Sequence, residues 1–158
     1  MMTKAEKYEA ALAHITAILD LEAGPVANLA NIVAVIHTEL CFFWTGWYEV
    51  KENAEGVCEL VLGPFQGPPA CIHIGYGRGV CGTAWKEKRT IVVPAVEEFP
   101  GHIACSSLSR SEIVVPVFKN GEMVAELDID SRHLATFDET DALWLSKVTE
   151  IASVFFRQ

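Results

Sequence analysis

The chain has 158 residues, 51% hydrophobic and 21% charged, a balance that suits one packed domain with its own core and is too apolar for a disordered segment. Its 21 acids against 12 Lys and Arg leave a formal net charge of −9, which repels phosphate backbones and argues against nucleic acid as a partner. Met1 to Lys7 carry no apolar stretch behind their positive charges, and no run reaches bilayer-spanning length, so the expectation is no membrane segment and a soluble, cytoplasmic protein.

From Lys4 to about Glu22, Tyr8, Ala11, Leu12, Ile15, Ile18 and Leu19 recur at three- and four-residue steps, the mark of an amphipathic helix ended by Gly24-Pro25. A second helix is expected from Val26 to about Leu40, with Leu29, Ile32, Val33 and Ile36 on one stripe. Aromatic and β-branched residues then predict a hairpin, Cys41 to Val50 and Val57 to Leu62, turning around Asn53 to Gly56. Gly63 to Pro69 reads as a breaker-rich connection to a short strand, Ala70 to Ile74, followed by a short helix over Val80 to Lys86 and a strand over Thr90 to Val93. Residues 94–110 show no period and hold Pro94, Pro100 and Gly101, which predicts a lid or binding loop. Strands return over Ser111 to Phe118 and Glu122 to Asp130, and a last helix covers 138–156, with Thr136 and Glu139 as its capping box and Leu143, Leu145, Val148, Ile151, Ala152 and Phe155 as its buried stripe. Helices at both ends of a hairpin-rich middle indicate an α+β domain, its mainly antiparallel sheet covered on one face by the N-terminal and C-terminal helices.

The last hairpin permits a register argument. A two-residue Asn120-Gly121 turn would set Glu112 on the core face opposite Ile129. A three-residue loop ending in a glycine bulge instead faces Ile113, Val115 and Val117 to Leu127, Ala125 and Met123. In that second register Glu112 stands opposite Asp128, with Asp130 two residues along the same face. Like charges so placed are destabilising. The patch is either a solvated sheet face or a site for a cation such as a substrate ammonium, where crowding raises a carboxyl into the range of a proton donor.

Gly77-Arg78-Gly79-Val80-Cys81-Gly82 has the glycine spacing of a dinucleotide loop, but short, hairpin-linked strands do not supply the parallel unit that such a site needs. The glycines fit better with a backbone passing close to a small ligand. No CxxC, HxxxH or similar close pair occurs, so no metal site is expected. Five cysteines at unequal gaps without a secretory signal do not make a structural disulfide framework. Cys41 and Cys58 lie in apolar strand runs and read as packing residues, whereas Cys71 opens a strand beside the proline-rich turn, Cys81 sits in the glycine loop and Cys105 lies on the long lid, accessible settings where thiols react. His102, three residues before Cys105, is either a surface residue or a proton relay.

Together, Trp44-Thr45-Gly46-Trp47-Tyr48, Leu62 to Cys71, Gly77 to Ala84, Gly101 to Cys105, Ser111 to Pro116 and Leu127 to Ser131 make the chain similar to the free methionine-(R)-sulfoxide reductases, built on a GAF-type domain. Trp47, where a Phe is expected, is a slight departure. The resemblance implies a single GAF-like domain over 1–158, with a helical N-terminal part over 4–40 and an active-site lid over 94–110. It also implies reduction of the free sulfoxide by a cysteine that becomes a sulfenic acid and then a disulfide, regenerated by thioredoxin, with no bound cofactor and no metal. Cys105 is the expected nucleophile, Cys71 the first resolving thiol and Cys81 a second one. Spacing does not fix that order, and a helix N-terminus beside Cys81 would activate it. By the same resemblance Glu112, Asp128 and Asp130 bind or polarise the substrate, and Trp44 and Tyr48 enclose its methylthio end or are plain core. The two N-terminal helices offer a surface for a homodimer. The alternatives are a non-catalytic GAF module sensing a small amino-acid-like ligand, and a general peroxide-sensing thiol protein.

Overall fold

The computed structural model describes residues 1–158. Its helices are α1 (Lys4–Ile18), α2 (Pro25–Glu39), α3 (Gly79–Glu87) and α4 (Glu139–Ala152). Its strands are β1 (Trp44–Glu52), β2 (Cys58–Gln66), β3 (His73–Ile74), β4 (Ile91–Val93), β5 (Ser111–Lys119) and β6 (Glu122–Ser131). Every neighbouring pair is antiparallel, in the order β3-β2-β1-β6-β5-β4. The α+β reading holds, and no helix is long and apolar enough to cross a membrane.

Period-two alternation on the central strands gives the sheet two faces. Ile113, Val115, Val117, Ala125, Leu127 and Ile129 meet the stripes of α1, α2 and α4, where Tyr8, Ile15, Ile32, Ile36, Leu145 and Val148 are buried. Trp47 belongs to this core and donates its indole N–H to Leu29 O at 3.0 Å, so the larger ring has a polar partner of its own. The opposite face is covered by α3. The chain crosses from β3 at one sheet edge to β4 at the other, so α3 lies across that face, above β5 and β6.

Several boundaries differ from expectation for identifiable reasons. β2 runs on through Pro64 to Gln66, because its pairing with β1 shifts by one residue opposite Trp47, and a proline without an amide hydrogen is tolerated at such a bulge. Helix α1 stops at Ile18 and a 3-10 turn, Leu21–Ala23, carries the chain to α2. The α4 cap is Asp138 with Asp141, not Thr136 with Glu139, since Thr136 bonds Ser131 and His133 in the preceding turn. Leu143, expected in the buried stripe, is exposed.

The β5–β6 hairpin does turn on two residues, Asn120 and Gly121, both at positive φ. The parity is then restored by an extra residue on β6. Val117 pairs with Ala125 and Phe118 with Met123, leaving Val124 unpaired. Glu112 therefore faces Asp130, not Asp128 as the bulged-loop register required, yet the division of residues between faces is the expected one.

Helices α1 and α4 are tied by Asp141, 1% exposed, which accepts from Tyr8 Oη at 2.7 Å and from Lys4 Nζ at 2.6 Å. Removing the hydroxyl strands a buried carboxylate oxygen. Tyr8→Phe is therefore expected to lower the free energy of urea unfolding by about 1–3 kcal/mol, with the far-UV spectrum of the folded protein unchanged.

Candidate active site

The face beneath α3 carries a row of acids along β6, Glu126, Asp128 and Asp130, abreast of Tyr48, Gly46 and Trp44 on β1. Glu112 on β5 completes the cluster. Asp128 and Glu112 are each 6% exposed, so the acidic face is not the solvated surface that a chain of this charge would ordinarily show. Glu126 escaped the sequence reading, although it shares the parity of Asp128 and Asp130. Period two along the strand was the signal that could have found it.

Two glycines make the aromatic wall possible. A Cβ on Gly46 would run into the Trp44 ring and lie 2.6 Å from Phe65 Cβ, while one on Gly67 would lie 2.7 Å from Trp44 Cδ1. Gly67 also has φ +120, which side chains disfavour. Trp44 folds into that space, donating to Pro68 O at 2.9 Å and lying 6.1 Å from the Tyr48 ring. Tyr48 in turn donates its hydroxyl to Cys71 O at 2.8 Å, fixing the backbone that carries that thiol.

Cys71 and Cys105 are joined by a disulfide, with a Cα–Cα separation of 5.7 Å across 34 residues of sequence. Two of the three singled-out cysteines are thus brought together from segments that no local pattern relates. The third behaves differently. Cys81 does sit in the first turn of α3, but it is 4% exposed, with its Sγ 3.9 Å from Glu112 Oε1. Burial pushes its thiol well up, and Asp128, Glu126 and Glu112 push further. The expected activation by the helix terminus is outweighed by desolvation and three neighbouring carboxyls. Cys41 and Cys58, read as packing residues, are instead exposed. Cys41 has left the strand for a positive-φ turn, and Cys58 starts β2 at the hairpin end.

One pocket gathers these groups. Trp44, Tyr48, Cys81, Cys105, Glu112, Asp128 and Asp130 all line it, together with Arg78, His102, Ile103 and Ser109. His102 is thus not a surface residue. Its Nε2 lies 3.9 Å from Glu112 Oε2, and burial lowers its basicity. Arg78, also unmarked by the sequence reading, is the single Lys or Arg on the lining, carried by the glycine segment.

The carboxyl groups differ in how firmly they hold protons. Burial raises Glu112 well above the carboxylate range, with the charges of Asp128 and Asp130 adding to it, and Asp130 rises for the same first reason. Asp128 is pushed up only to about 6, because burial is opposed by hydrogen bonds from Glu112 and Cys81. Near neutral pH the cluster therefore combines an anion, Asp128, with carboxyl groups that keep a proton. An apolar aromatic wall, a buried anion, proton donors and one cysteine of the disulfide, Cys105, share one cleft.

The GAF domain family matches residues 22–155. GAF domain-containing protein A of Dictyostelium discoideum is 51% identical over 94% of this chain and 92% of its own length. Free methionine-R-sulfoxide reductase of Saccharomyces cerevisiae is 37% identical over 95% of this chain and 86% of its own. The crystal structure of free methionine-R-sulfoxide reductase from Neisseria meningitidis in complex with its substrate superposes with a TM-score of 0.91, at 50% identity, covering 98% of this chain and 90% of that one. The chain belongs to the free methionine-R-sulfoxide reductases, a family of GAF-domain proteins.

Proposed function

We propose that this protein reduces free methionine-(R)-sulfoxide to methionine, with Cys105 as nucleophile, Cys71 as resolving thiol and thioredoxin as electron donor. The observation that carries the reading is the Cys71–Cys105 disulfide placed over a buried, partly protonated carboxylate cluster.

The Cys105 thiolate attacks the sulfoxide sulfur and forms a sulfur–sulfur bond as the oxygen takes a proton; that oxygen then passes to Cys105 Sγ as its bond to the substrate sulfur and the sulfur–sulfur bond break, leaving methionine and a Cys105 sulfenic acid. Glu112, buried and protonated, is the donor, and His102 beside it returns the proton. The Cys71 thiol then condenses with the sulfenic acid, releasing water and forming the disulfide, which thioredoxin reduces by thiol exchange. Segment 94–110 serves as the lid, carrying Cys105 between substrate and Cys71. Cys81 remains a secondary thiol, since its burial keeps it protonated while Cys71 reacts.

Selection for the free amino acid follows from charge. Asp128, helped by Asp130, takes the ammonium, while Arg78 at the rim faces the carboxylate. An acylated nitrogen carries no charge and would leave the buried Asp128 unpaired, so a peptide-bound sulfoxide is rejected. Trp44 and Tyr48 enclose the methylthio group.

NADPH oxidation coupled through thioredoxin is expected with the free R epimer alone, not with the S epimer or a peptide sulfoxide. Tight binding without turnover would instead identify a sensor. In single turnover, Cys71→Ser should release one methionine per enzyme and then stop, and Cys105→Ser none; methionine released by Cys105→Ser would reassign the nucleophile. Asp128→Asn should lower kcat/KM by about 10–100-fold, chiefly through KM. In the wild type kcat/KM should fall as pH drops through about 6, since Asp128 is raised to that value and loses its charge below it.

A further inference from the structure

One acid on this face has no part in that scheme. Glu126 is the innermost of the β6 row, 0% exposed, and does not line the pocket. Neither of its carboxyl oxygens has a hydrogen-bond partner within ordinary reach, and the Cys81 thiol, a weak donor, supplies a longer and weaker interaction. Its cross-strand neighbours are Tyr48 and Pro116, and the proline has no amide hydrogen to offer. A buried polar group without partners costs stability, and an apolar side chain would serve packing better.

The other buried side-chain atom left without a partner is Asp128 Oδ1, two residues along the same face of the same strand. Two ionised carboxylates only accept hydrogen bonds and cannot relieve each other. A carboxylic acid beside a carboxylate can, because its O–H donates to the carboxylate, so that one bond partners Asp128 Oδ1 and one of the two Glu126 oxygens. The surroundings place the proton on Glu126. Burial raises it well above the carboxylate range, the Cys81 thiol opposes this, and the charge of Asp128 adds to it. Asp128 is the acid of the cluster that stays lowest.

We propose that Glu126 is a positioning residue for Asp128, donating its carboxyl proton to Asp128 Oδ1 and so leaving the other carboxylate oxygen to the pocket. The consequence for substrate rests on the assignment of Asp128 as the ammonium's anchor; the hydrogen bond itself does not. The interaction holds Asp128 in one orientation and in its charged form, while Glu126 never touches the ligand. The remaining titratable groups on this face are Glu112 from β5, Asp130 from β6, Cys81 from α3, Tyr48 from β1 and His102 against Glu112, with Arg78 and, in the reduced protein, the Cys105 thiol on the pocket lining, all of which a change at Glu126 leaves in place.

The test follows the side-chain carboxyl carbons of Asp and Glu by 13C NMR titration of the reduced protein without substrate, in wild type, Glu126→Leu, Glu126→Met and Glu126→Gln. In the wild type Glu126 should remain protonated through neutral pH. A Glu126 signal titrating in the ordinary carboxylate range would overturn the proposal without any variant having to fold. Both apolar variants should raise the Asp128 midpoint by about one unit, and Gln, whose amide N–H replaces the donor, should restore it. If a folded Leu or Met variant leaves the Asp128 midpoint in place, Glu126 is only a packing residue. Sulfoxide turnover should follow the same order, with KM raised about tenfold in Glu126→Leu and kcat less affected. Because the titration needs no substrate, a protein that did not reduce the sulfoxide would still report on Glu126.

Discussion

Four carboxyl groups lie under one helix, on one face of a sheet whose other face is the main core, and that placement depends on the register of the β5–β6 hairpin. A strand offset by one residue exchanges its two faces entirely. Had the Asn120-Gly121 turn continued into an unbroken ladder, Glu112 would point at Leu145 and Val148, and Ile113 at the pocket. The unpaired Val124 absorbs the mismatch close to the turn, before the acid row begins at Glu126. A tight hairpin and a functional face are thereby both kept. The ladder beyond the bulge aligns Glu112 with Asp130, setting acids from two strands against each other.

Such an arrangement opposes folding, because desolvation and like-charge repulsion both act against it. The cluster reduces the cost by holding protons. Glu112, Glu126 and Asp130 are pushed up by burial, Asp128 much less, and the group behaves as a proton store around one anion. The same desolvation pushes the Cys81 thiol well up. A thiol in the first turn of a helix would ordinarily be activated, yet here it lies among carboxyls in a closed interior, while Cys105 sits in an exposed loop. The two thiols that pair are those the fold leaves within reach of each other, and Tyr48 links the aromatic wall to the Cys71 backbone.

Stability is supplied mainly on the opposite face. Tyr8, Lys4 and Asp141 bind α1 to α4 through fully partnered buried groups, and the stripes of three helices cover the apolar rows of β5 and β6. One face thus satisfies its polar atoms, while the other holds three buried carboxyl oxygens on β6 that have no partner within ordinary reach outside the acid row itself. Tolerated instability of this kind is what a binding face demands of its scaffold.

Much of this was legible in the sequence. The stripes of α1 and α2, the α+β class, the parity that puts Ile113, Val115 and Val117 in the core, and the accessible setting of Cys105 all follow from local periodicity and turn chemistry. Those signals act within a few residues, and the chain carries them wherever it folds. The bulge at Val124, the exposure of Cys41 and Cys58, the enclosure of His102, the pairing of Cys71 with Cys105 and the buried state of Glu126 were decided by tertiary structure. Each depends on what a distant segment brings alongside, whether α3 lying across β6 or segment 94–110 meeting the end of the glycine-proline turn. Burial, which here sets both the reactivity of the thiols and the protonation of the acids, is a property of that assembly and of no single stretch of sequence.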